Sequence, residues 1–436
     1  MEGCPLKTVA FHTLGCKVNQ YDTQAMLELF RAAGYTPVPF GGDADVYVLN
    51  TCTVTGTGDK KSLQLCRRIR RTHPDSQIVL CGCLAQRQGA ALLDTGARLI
   101  LGTQRRGEVV SLLEQAVRED RQLCAVGPLP ARMPYEELQV RDQEERTRAV
   151  MKIQEGCNNF CTYCIIPSVR GPIRSRSLDA IRREAGELAA AGFREIVLTG
   201  IHLTSYGRER KDGTGLLDAV RALQETEGIL RIRLGSLEPT VADPAFAATL
   251  AGMDKVCPHF HLALQSGSDT VLQRMRRRYT LAEYRQAAAT LRAVWPDLAL
   301  TTDVLTGFSG ETEAEFEETA AFIREMGYAR IHVFPYSPRE GTPAAAMPGQ
   351  LSPAEKEART RALIRVGNET AEAYRRRWLG RETQVLAEEL ERGRRVGYTP
   401  EYQQVSLPDC PGVRSGDLVA VWITALTPEG LEGEPV

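Results

Sequence analysis

Cys157, Cys161 and Cys164 place three thiols within eight residues, directly after an apolar run at Val150–Ile153. A chain built this way has to fold around whatever those thiols hold. Three thiolates leave a structural zinc site one ligand short. They satisfy three irons of a [4Fe–4S] cluster and leave the fourth iron open. Zinc completed by a distant fourth ligand is the alternative. The chain carries twelve cysteines in all. Met1 to Cys16 reads as a first strand rather than a leader, and no apolar run has membrane-spanning length. The expected compartment is the cytoplasm, where cysteines serve as ligands or core thiols rather than disulfides.

The residues around the triad repeat a strand–helix pattern. Strand signals fall at Val150–Ile153, Glu195–Leu198, Arg231–Leu234, Phe260–Leu264, Thr301–Leu305 and Arg330–Phe334. Helical stretches between them are Asp179–Ala191, Leu216–Thr226, Leu281–Val294 and Glu313–Met326. Six such units curl into a barrel or three-quarter barrel whose chemistry sits at the C-terminal strand ends. Those ends carry Cys157, Thr199–Gly200, Ser236 with Glu238, Gln265–Ser266, Gly307 with Glu311, and Tyr336 with Arg339.

Residues 7–110 alternate in the same way, with strands at Thr8–Leu14, Val46–Leu49, Ile78–Leu80 and Leu99–Leu101 and helices at Asp22–Ala33 and Lys60–Arg71. Cys16, Cys52 and Cys83 each follow one of those strands. In a parallel sheet such ends share one edge, so the three thiols can converge. Core packing is the alternative. Cys81 is a rival to Cys83, because strand alternation points both thiols to one face. Cys4, Cys66, Cys124, Cys257 and Cys410 belong to no motif and read as core or surface thiols. After a charged helix at 353–378, short strands separated by Gly and Pro suggest a small β-barrel, with 427–436 as a frayed tail. The expected fold class is α/β. It comprises an N-terminal doubly wound parallel-sheet domain (5–125), a linker (126–146), a central partial (β/α)6 barrel (147–375) and a small C-terminal β-barrel (376–436).

An open iron needs an occupant, and S-adenosylmethionine (SAM) fits it. Its amino and carboxylate groups can chelate the iron, and a reduced cluster can pass one electron into the sulfonium to break a C–S bond. Tyr163, just before the third thiol, is placed to pack on the adenine ring. Thr199 and Gly200 allow backbone to approach the SAM amino group. Ser236 and Glu238 are candidate ribose or methionine contacts. Gln265-Ser266-Gly267 and Gly307-x2-Gly310-Glu311 are candidate backbone cradles. For each of these an ordinary polar loop group is the alternative. Asp303 reads as an orienting residue, and His202, His261 and His332 as structural histidines.

These strings resemble one family. The triad spacing is similar to that of the radical SAM superfamily. Gly156-Cys157-Asn158 through Cys164-Ile165-Ile166-Pro167 to Arg170-Gly171 resembles its methylthiotransferase branch. Thr13-Leu14-Gly15-Cys16-Lys17-Val18-Asn19-Gln20, Asn50-Thr51-Cys52-Thr53-Val54-Thr55 and Gly82-Cys83-Leu84-Ala85-Gln86 resemble the N-terminal domain of methylthiotransferases. The resemblance covers nearly the whole chain. It implies that Cys16, Cys52 and Cys83 hold an auxiliary [4Fe–4S] cluster whose open iron carries the sulfur to be inserted. The last strands resemble a TRAM module, an RNA-binding barrel. The implied cofactors are two [4Fe–4S] clusters and SAM. The implied partners are SAM, a tRNA anticodon stem-loop and an electron donor such as a flavodoxin or ferredoxin, with no membrane.

Branches of the family modify isopentenyl-adenosine in tRNA, threonylcarbamoyl-adenosine in tRNA, or an aspartate of a ribosomal protein. Thr13–Gln20, Thr199-Gly200-Ile201-His202 and Gly397–Tyr402 are most similar to the threonylcarbamoyl-adenosine (MtaB-type) branch, while Thr204-Ser205 leans toward the isopentenyl one. The implied reaction converts C–H to C–SCH3 at C2 of the adenosine just 3′ of the anticodon. One SAM would methylate sulfur, and a second would yield a 5′-deoxyadenosyl radical that takes the C2 hydrogen.

Net charge is −1, so there is no global field to attract RNA. Basic clusters at Arg67–Arg71, Arg170–Arg176, Arg274–Arg278 and Arg375–Arg381 are either phosphate contacts or solvated helix faces. Residues 382–436 hold more acids than bases, so RNA binding there would need shape and stacking. Tyr398 and Tyr402 supply two rings for it.

Overall fold

The computed structural model describes residues 7–436 apart from 142, 144, 145, 392 and 411. Cys4 and part of the expected linker lie outside the described residues.

The N-terminal sheet has six parallel strands: β1 (Lys7–Thr13), β2 (Tyr35–Pro37), β3 (Val46–Thr51), β4 (Gln77–Gly82), β5 (Leu99–Leu101) and β6 (Leu123–Cys124), in the order β2-β1-β3-β4-β5-β6. Helices α1 (Lys17–Ala32) and α4 (Val109–Arg118) cover one face through Met26, Phe30, Val109 and Leu113. Helices α2 (Gly56–Thr72) and α3 (Cys83–Gln88) cover the other through Cys66, Ile69 and Leu84. Being covered on both sides explains why β3 is buried along its whole length. The strand order reverses between β1 and β3, so the turns after these two strands form a crevice at the sheet's C-terminal edge. Helix α1 begins five residues earlier than the periodicity at Asp22 suggests. Its first turn is polar, but Asn19 is buried and donates to the carbonyls of Leu14 (2.7 Å) and Thr51 (3.1 Å).

The central strands are β7 (Arg148–Glu155), β8 (Arg174–Ser175), β9 (Glu195–Gly200), β10 (Arg231–Leu234), β11 (Ser236–Leu237), β12 (His259–Leu262), β13 (Ala299–Thr306) and β14 (Arg330–Pro335). They form two sheets, β10-β9-β7-β8 and β11-β12-β13-β14. A backbone bridge joins them: Ile232 N donates to Lys255 O (2.7 Å) and Cys257 N to Ile232 O (2.9 Å). The result is a six-unit partial barrel in chain order. A short helix, α5 (Ile166–Arg170), follows the cysteine loop. The outer layer is built from α6 (Leu178–Ala190), α7 (Leu216–Gln224), α8 (Pro244–Ala251), α9 (Asp269–Arg274), α10 (Leu281–Val294) and α11 (Glu313–Met326). On β7, Ala149, Met151 and Ile153 face that layer. Val150 turns the other way and packs on Tyr21 and Ala25 of α1, so the N-terminal domain lies across the barrel's inner side. The segment between the two domains is irregular but anchored, with Leu138 and Val140 in the same apolar cluster.

Helix α12 (Pro353–Arg376) leads to a closed barrel of β15 (Glu382–Glu391), β16 (Arg394–Tyr398), β17 (Gln404–Pro408), β18 (Leu418–Leu426) and β19 (Leu431–Pro435), consistent with a TRAM-like module. The last strand corrects the expectation of a frayed tail. β19 pairs parallel with β17 and antiparallel with β18, and so closes the barrel. Its glycine and proline hide a strand in which Leu431 fills the core. A side chain at Gly433 would strike Val421 at 2.4 Å and Trp422 O at 2.9 Å. Leu431→Ala is expected to cost about 2–5 kcal/mol, seen as a lower denaturant midpoint for this module. A wild-type midpoint would place the segment outside the barrel core.

Candidate active site

The N-terminal thiols are brought together by turns. Gly15 (φ +106°) ends β1, and Cys16 is the residue that opens α1. A side chain at Gly15 would lie 2.9 Å from Cys52 Cβ, so the two thiol-bearing turns touch only because glycine stands there. Gly82 (φ +90°) ends β4 in a conformation only glycine takes readily. That turn separates Cys81 from Cys83. Cys81 stays in the apolar core with Val9, Phe30 and Val48, its thiol donating to Leu49 O (3.6 Å). Cys83 swings out to open α3, where it senses the charge of Cys16 and Cys52. Backbone conformation therefore parts two thiols that strand alternation alone would put on one face.

The second triad sits on the loop after β7. Gly156 (φ +75°) starts it, and Phe160 (φ +51°) stands at its apex with its ring exposed. Backbone bonds fix the loop on both sides: Cys157 N to Gly171 O, and Thr162 N to Met275 O, each 3.1 Å. Burial pushes the Cys157 thiol up to about 11 and Cys164 up to about 12, and the neighbouring Cys161 thiol adds to both. Cys83 rises to about 11, mainly through burial, with Arg170 the largest opposing influence. Such thiols stay protonated unless a metal supplies the positive charge that deprotonates them. Among the described residues no group of three or more His, Cys, Asp or Glu side chains is drawn in around a single ion. One zinc requires sulfurs about 4 Å apart. A cube takes each thiol at a different iron, so two all-thiol triads that are not gathered on one ion fit a cluster better.

Around the second triad a polar group is held tightly. Glu238 is buried and receives Arg277 (2.9 Å) and Asn159 (2.9 Å), with His202 Nε2 3.1 Å from its other oxygen. Burial opposes its ionisation, but the His202 hydrogen bond and the Arg277 charge outweigh it and hold the carboxyl at about 2. Arg277 also donates to Cys161 Sγ (3.2 Å). Thr199 is buried at the end of β9. A side chain at Gly200 would meet Gln154 Cβ at 2.8 Å. Gln154, which sequence reasoning passed over, accepts from His202 N (2.7 Å) and donates to Gly156 O (2.8 Å), tying the two strand ends together. Ser236 is exposed on the same rim. Tyr163 is half-buried against Phe308, ring to ring at 6.4 Å. Gln265 takes a left-handed conformation (φ +68°) and exchanges backbone bonds with Asp303 and Leu305. Gly307, Ser266 and Gly267 turn elsewhere. A side chain at Gly307 would hit Lys356 at 2.4 Å, one at Gly267 would hit Thr319 of α11 at 2.7 Å, and Ser266 Oγ lies 3.4 Å from Thr319 Oγ1. Glu311 is occupied by Gly307 N and Arg359, both at 2.7 Å.

The two thiol-bearing rims face each other. Cys83 packs on Ile165 and Val169, the residues immediately after Cys164. Thr103 donates to Val169 O (2.6 Å), and Ser337 and Arg339 beyond β14 bind Gly56 and Thr53 beyond Cys52. Arg170 is fully buried at the junction. It donates to Cys83 Sγ (3.2 Å), Asp22 (2.9 Å) and Glu155 (2.7 Å) and also bonds Asn19.

A family model described as the radical SAM superfamily matches residues 151–323, and one described as uncharacterized protein family UPF0004 matches residues 8–102. Threonylcarbamoyladenosine tRNA methylthiotransferase MtaB of Bacillus subtilis is 44% identical over 92% of this chain and 90% of its own length. The chain belongs to the radical SAM methylthiotransferase family. A tRNA-2-methylthio-N(6)-dimethylallyladenosine synthase from Moorella thermoacetica is 38% identical over 88% of this chain and 87% of its own length. Among solved structures, the radical SAM methyltransferase TsrM from Kitasatospora setae superposes with a TM-score of 0.55 at 14% identity, covering 78% of this chain and 77% of that one. At that identity the likeness is one of fold.

In this methylthiotransferase three of the four basic clusters are largely engaged within the chain, while Arg67, Arg68 and Arg71 stay exposed. Arg170, Arg174 and Arg176 are buried, which corrects their reading as phosphate contacts or a solvated face. Arg274 pairs with Glu315, and Arg377 and Arg381 with Asp297. The two tyrosines are engaged too. Tyr398 and Tyr402 stack on each other (5.0 Å, 29°), and Arg148 and Arg233 lie over them. Arg233 further donates to Pro400 O (2.7 Å) and Arg231 to Tyr398 O (2.9 Å), so this hairpin walls the base of the barrel instead of offering free rings. His261 stands 3.5 Å from Asp303, and His332 lies beside it (ring centroids 6.4 Å). Sequence reading missed Asp22, Lys152 and Glu155. These form a buried ion network with Arg106 and Arg170, and only their spacing before and after predicted strands hinted at it. Arg170→Met, which strips the network of one cation, is expected to cost about 3–5 kcal/mol in thermal or chemical unfolding of the apoprotein. A loss below 1 kcal/mol would show that the junction carries no stability.

Proposed function

We propose that the chain methylthiolates C2 of threonylcarbamoyladenosine beside the anticodon of tRNA, in the cytoplasm. Supporting this reading are the 44% identity to a relative named for that substrate and the contact between the two thiol-bearing rims, where Cys83 packs on Ile165 and Val169 and accepts from Arg170. The second observation carries the chemistry. Cys157, Cys161 and Cys164 would hold one [4Fe–4S] cluster and Cys16, Cys52 and Cys83 another, and a flavodoxin- or ferredoxin-type protein would supply electrons. When bound, these groups supply SAM cleavage at the first site and the sulfur to be transferred at the second. The domains follow from this: a sulfur-delivering module (5–125), a connection (126–146), a SAM-cleaving barrel (147–375) and a TRAM-like module (376–436).

The chain's own residues define the rest. Arg277 and Asn159 fix Glu238, and Glu238 with Ser205 fixes His202 (Nδ1 to Ser205 Oγ, 2.5 Å), giving a rigid polar rim beside Cys157. Thr199, Gly200, Ser236 and Glu238 lie on that rim as the SAM-facing groups. Tyr163 and Gln265 complete the set more remotely, and Gly307, turned toward Lys356 and Glu311, supports the loop from behind. Thr204 and Ser205, the residues that lean toward the isopentenyl branch, are buried. Thr204 accepts from Glu238 N (2.9 Å), so both act as supports and do not select a substituent. Because the substrate hydrogen leaves as an atom, His202, His261 and His332 need not act as strong bases.

Mass spectrometry of nucleosides from tRNA treated with anaerobically reconstituted enzyme tests the reaction. The expected product is 2-methylthio-threonylcarbamoyladenosine. A product on isopentenyladenosine, or on a ribosomal protein, would replace this reading. Cys161→Ala should abolish formation of 5′-deoxyadenosine. Cys52→Ala should keep it while methylthiolation disappears. Intact methylthiolation by Cys52→Ala would remove the auxiliary site from the scheme.

A further inference from the structure

We propose that Lys17 is the subsite for the carboxylate on the N6 substituent of the target adenosine, an inference that rests on the substrate reading above. Lys17 is the first residue of α1, adjacent to Cys16. It lines a cavity of about 360 Å³ together with Arg148, Glu388, Tyr398 and Tyr402. Its side chain is open to that cavity. On the same wall Arg148 holds Glu388 (2.6 Å) and Arg146 is engaged, and close by Arg233 holds Glu195 (2.7 Å) and Asp303 faces His261 (3.5 Å). Glu389 and Glu391, farther along the wall, make no ion pair with Lys17. Among the described residues Lys17 makes no hydrogen bond and no ion pair. The carboxylates whose charge it feels, Glu195 and Asp303, are already held by Arg233 and His261, so an anion from outside would give the ammonium its direct partner.

The position says which anion. On adenine, C2 and the N6-bearing carbon flank N1 along one edge. A base presenting C2 to the Cys16 triad therefore brings its N6 substituent within a side chain's length of the neighbouring residue. RNA phosphates lie beyond the ribose, away from that edge. The first turn of α1 adds the positive end of a helix dipole to the ammonium. A threonylcarbamoyl group ends in a carboxylate that this site can pair. A neutral alkyl substituent would leave the ammonium desolvated and unpaired, so one residue both attracts the first and rejects the second.

Three anticodon stem-loop RNAs test this against the full-length, iron-reconstituted protein. One carries threonylcarbamoyladenosine, one its methyl ester, and one unmodified adenosine. Wild type should bind the free acid about 10- to 100-fold more tightly than the ester. Lys17→Gln should erase that preference while binding the ester as wild type does, and Lys17→Arg should restore much of it. Iron content equal to wild type shows that each variant is folded. A Lys17→Gln protein that still prefers the acid overturns the assignment. A wild-type protein that leaves threonylcarbamoyladenosine unmethylthiolated overturns the substrate reading itself, and the Lys17 assignment with it.

Discussion

Buried charge at the junction of two domains sets the terms for everything else in this molecule. Asp22 comes from the N-terminal domain, Glu155 from the end of the first barrel strand and Arg170 from the helix after the cysteine loop. Arg106 and Lys152 complete the group. Burial alone would push the Asp22 and Glu155 carboxyls up, but the three cations outweigh it and hold both down. Ions removed from water need complete pairing. The two carboxylates answer two of the three cations. Glu136 reaches Arg106 from the half-exposed side, and Arg170 has capacity left for Cys83 Sγ. A thiolate at Cys83 would therefore bring negative charge to a guanidinium that already faces it. The electrostatics that lock the domains together and those that favour a metal-bound Cys83 are the same.

That junction has a geometric consequence. Parallel strands carry their unusual residues at their C-terminal ends. Here two such sets are turned toward each other, with α1 laid across the inner side of the barrel. Neither domain encloses a reaction space alone. The C-terminal module closes the base: Tyr398, Thr399 and Pro400 accept from Arg231 and Arg233, whose side chains point inward from β10. These barrel arginines, which share Glu195 as a carboxylate partner, have their remaining donors satisfied by backbone carbonyls of a different domain. The module is therefore part of the wall as well as a candidate RNA contact.

Much of this was legible in the sequence because it is local. Apolar runs alternating with helical patterns gave the parallel sheets, and the x3, x2 thiol spacing survives folding because one loop carries it. Strand alternation could not separate Cys81 from Cys83, and the resemblance alone pointed to Cys83, because what parts the two thiols is the left-handed turn at Gly82. Arg170–Arg176 misled because a run of positive charge reads as solvent-facing, while its partners Asp22, Glu137 and Glu184 are remote in sequence. β19 was missed for the opposite reason. Only Leu431 marks it as a core strand, and Gly433, packed against Val421 and Trp422, has no side chain to reveal a pattern.

Lys17 shows where the two kinds of information meet. In the sequence it is one polar residue between a cysteine and a helix, and nothing local separates it from a solvated lysine. In the fold it is a cation of the cavity wall that makes no hydrogen bond or ion pair among the described residues, because α1 carries it across the domain boundary into space bounded by the other two modules. A charge left open in a site whose other charges are paired is expensive to maintain unless a ligand completes it. The three-domain arrangement thus creates a demand that no single domain expresses. Sulfur delivery and recognition of the base would share the turn at Cys16–Lys17, so a base bound out of register for one would be out of register for the other.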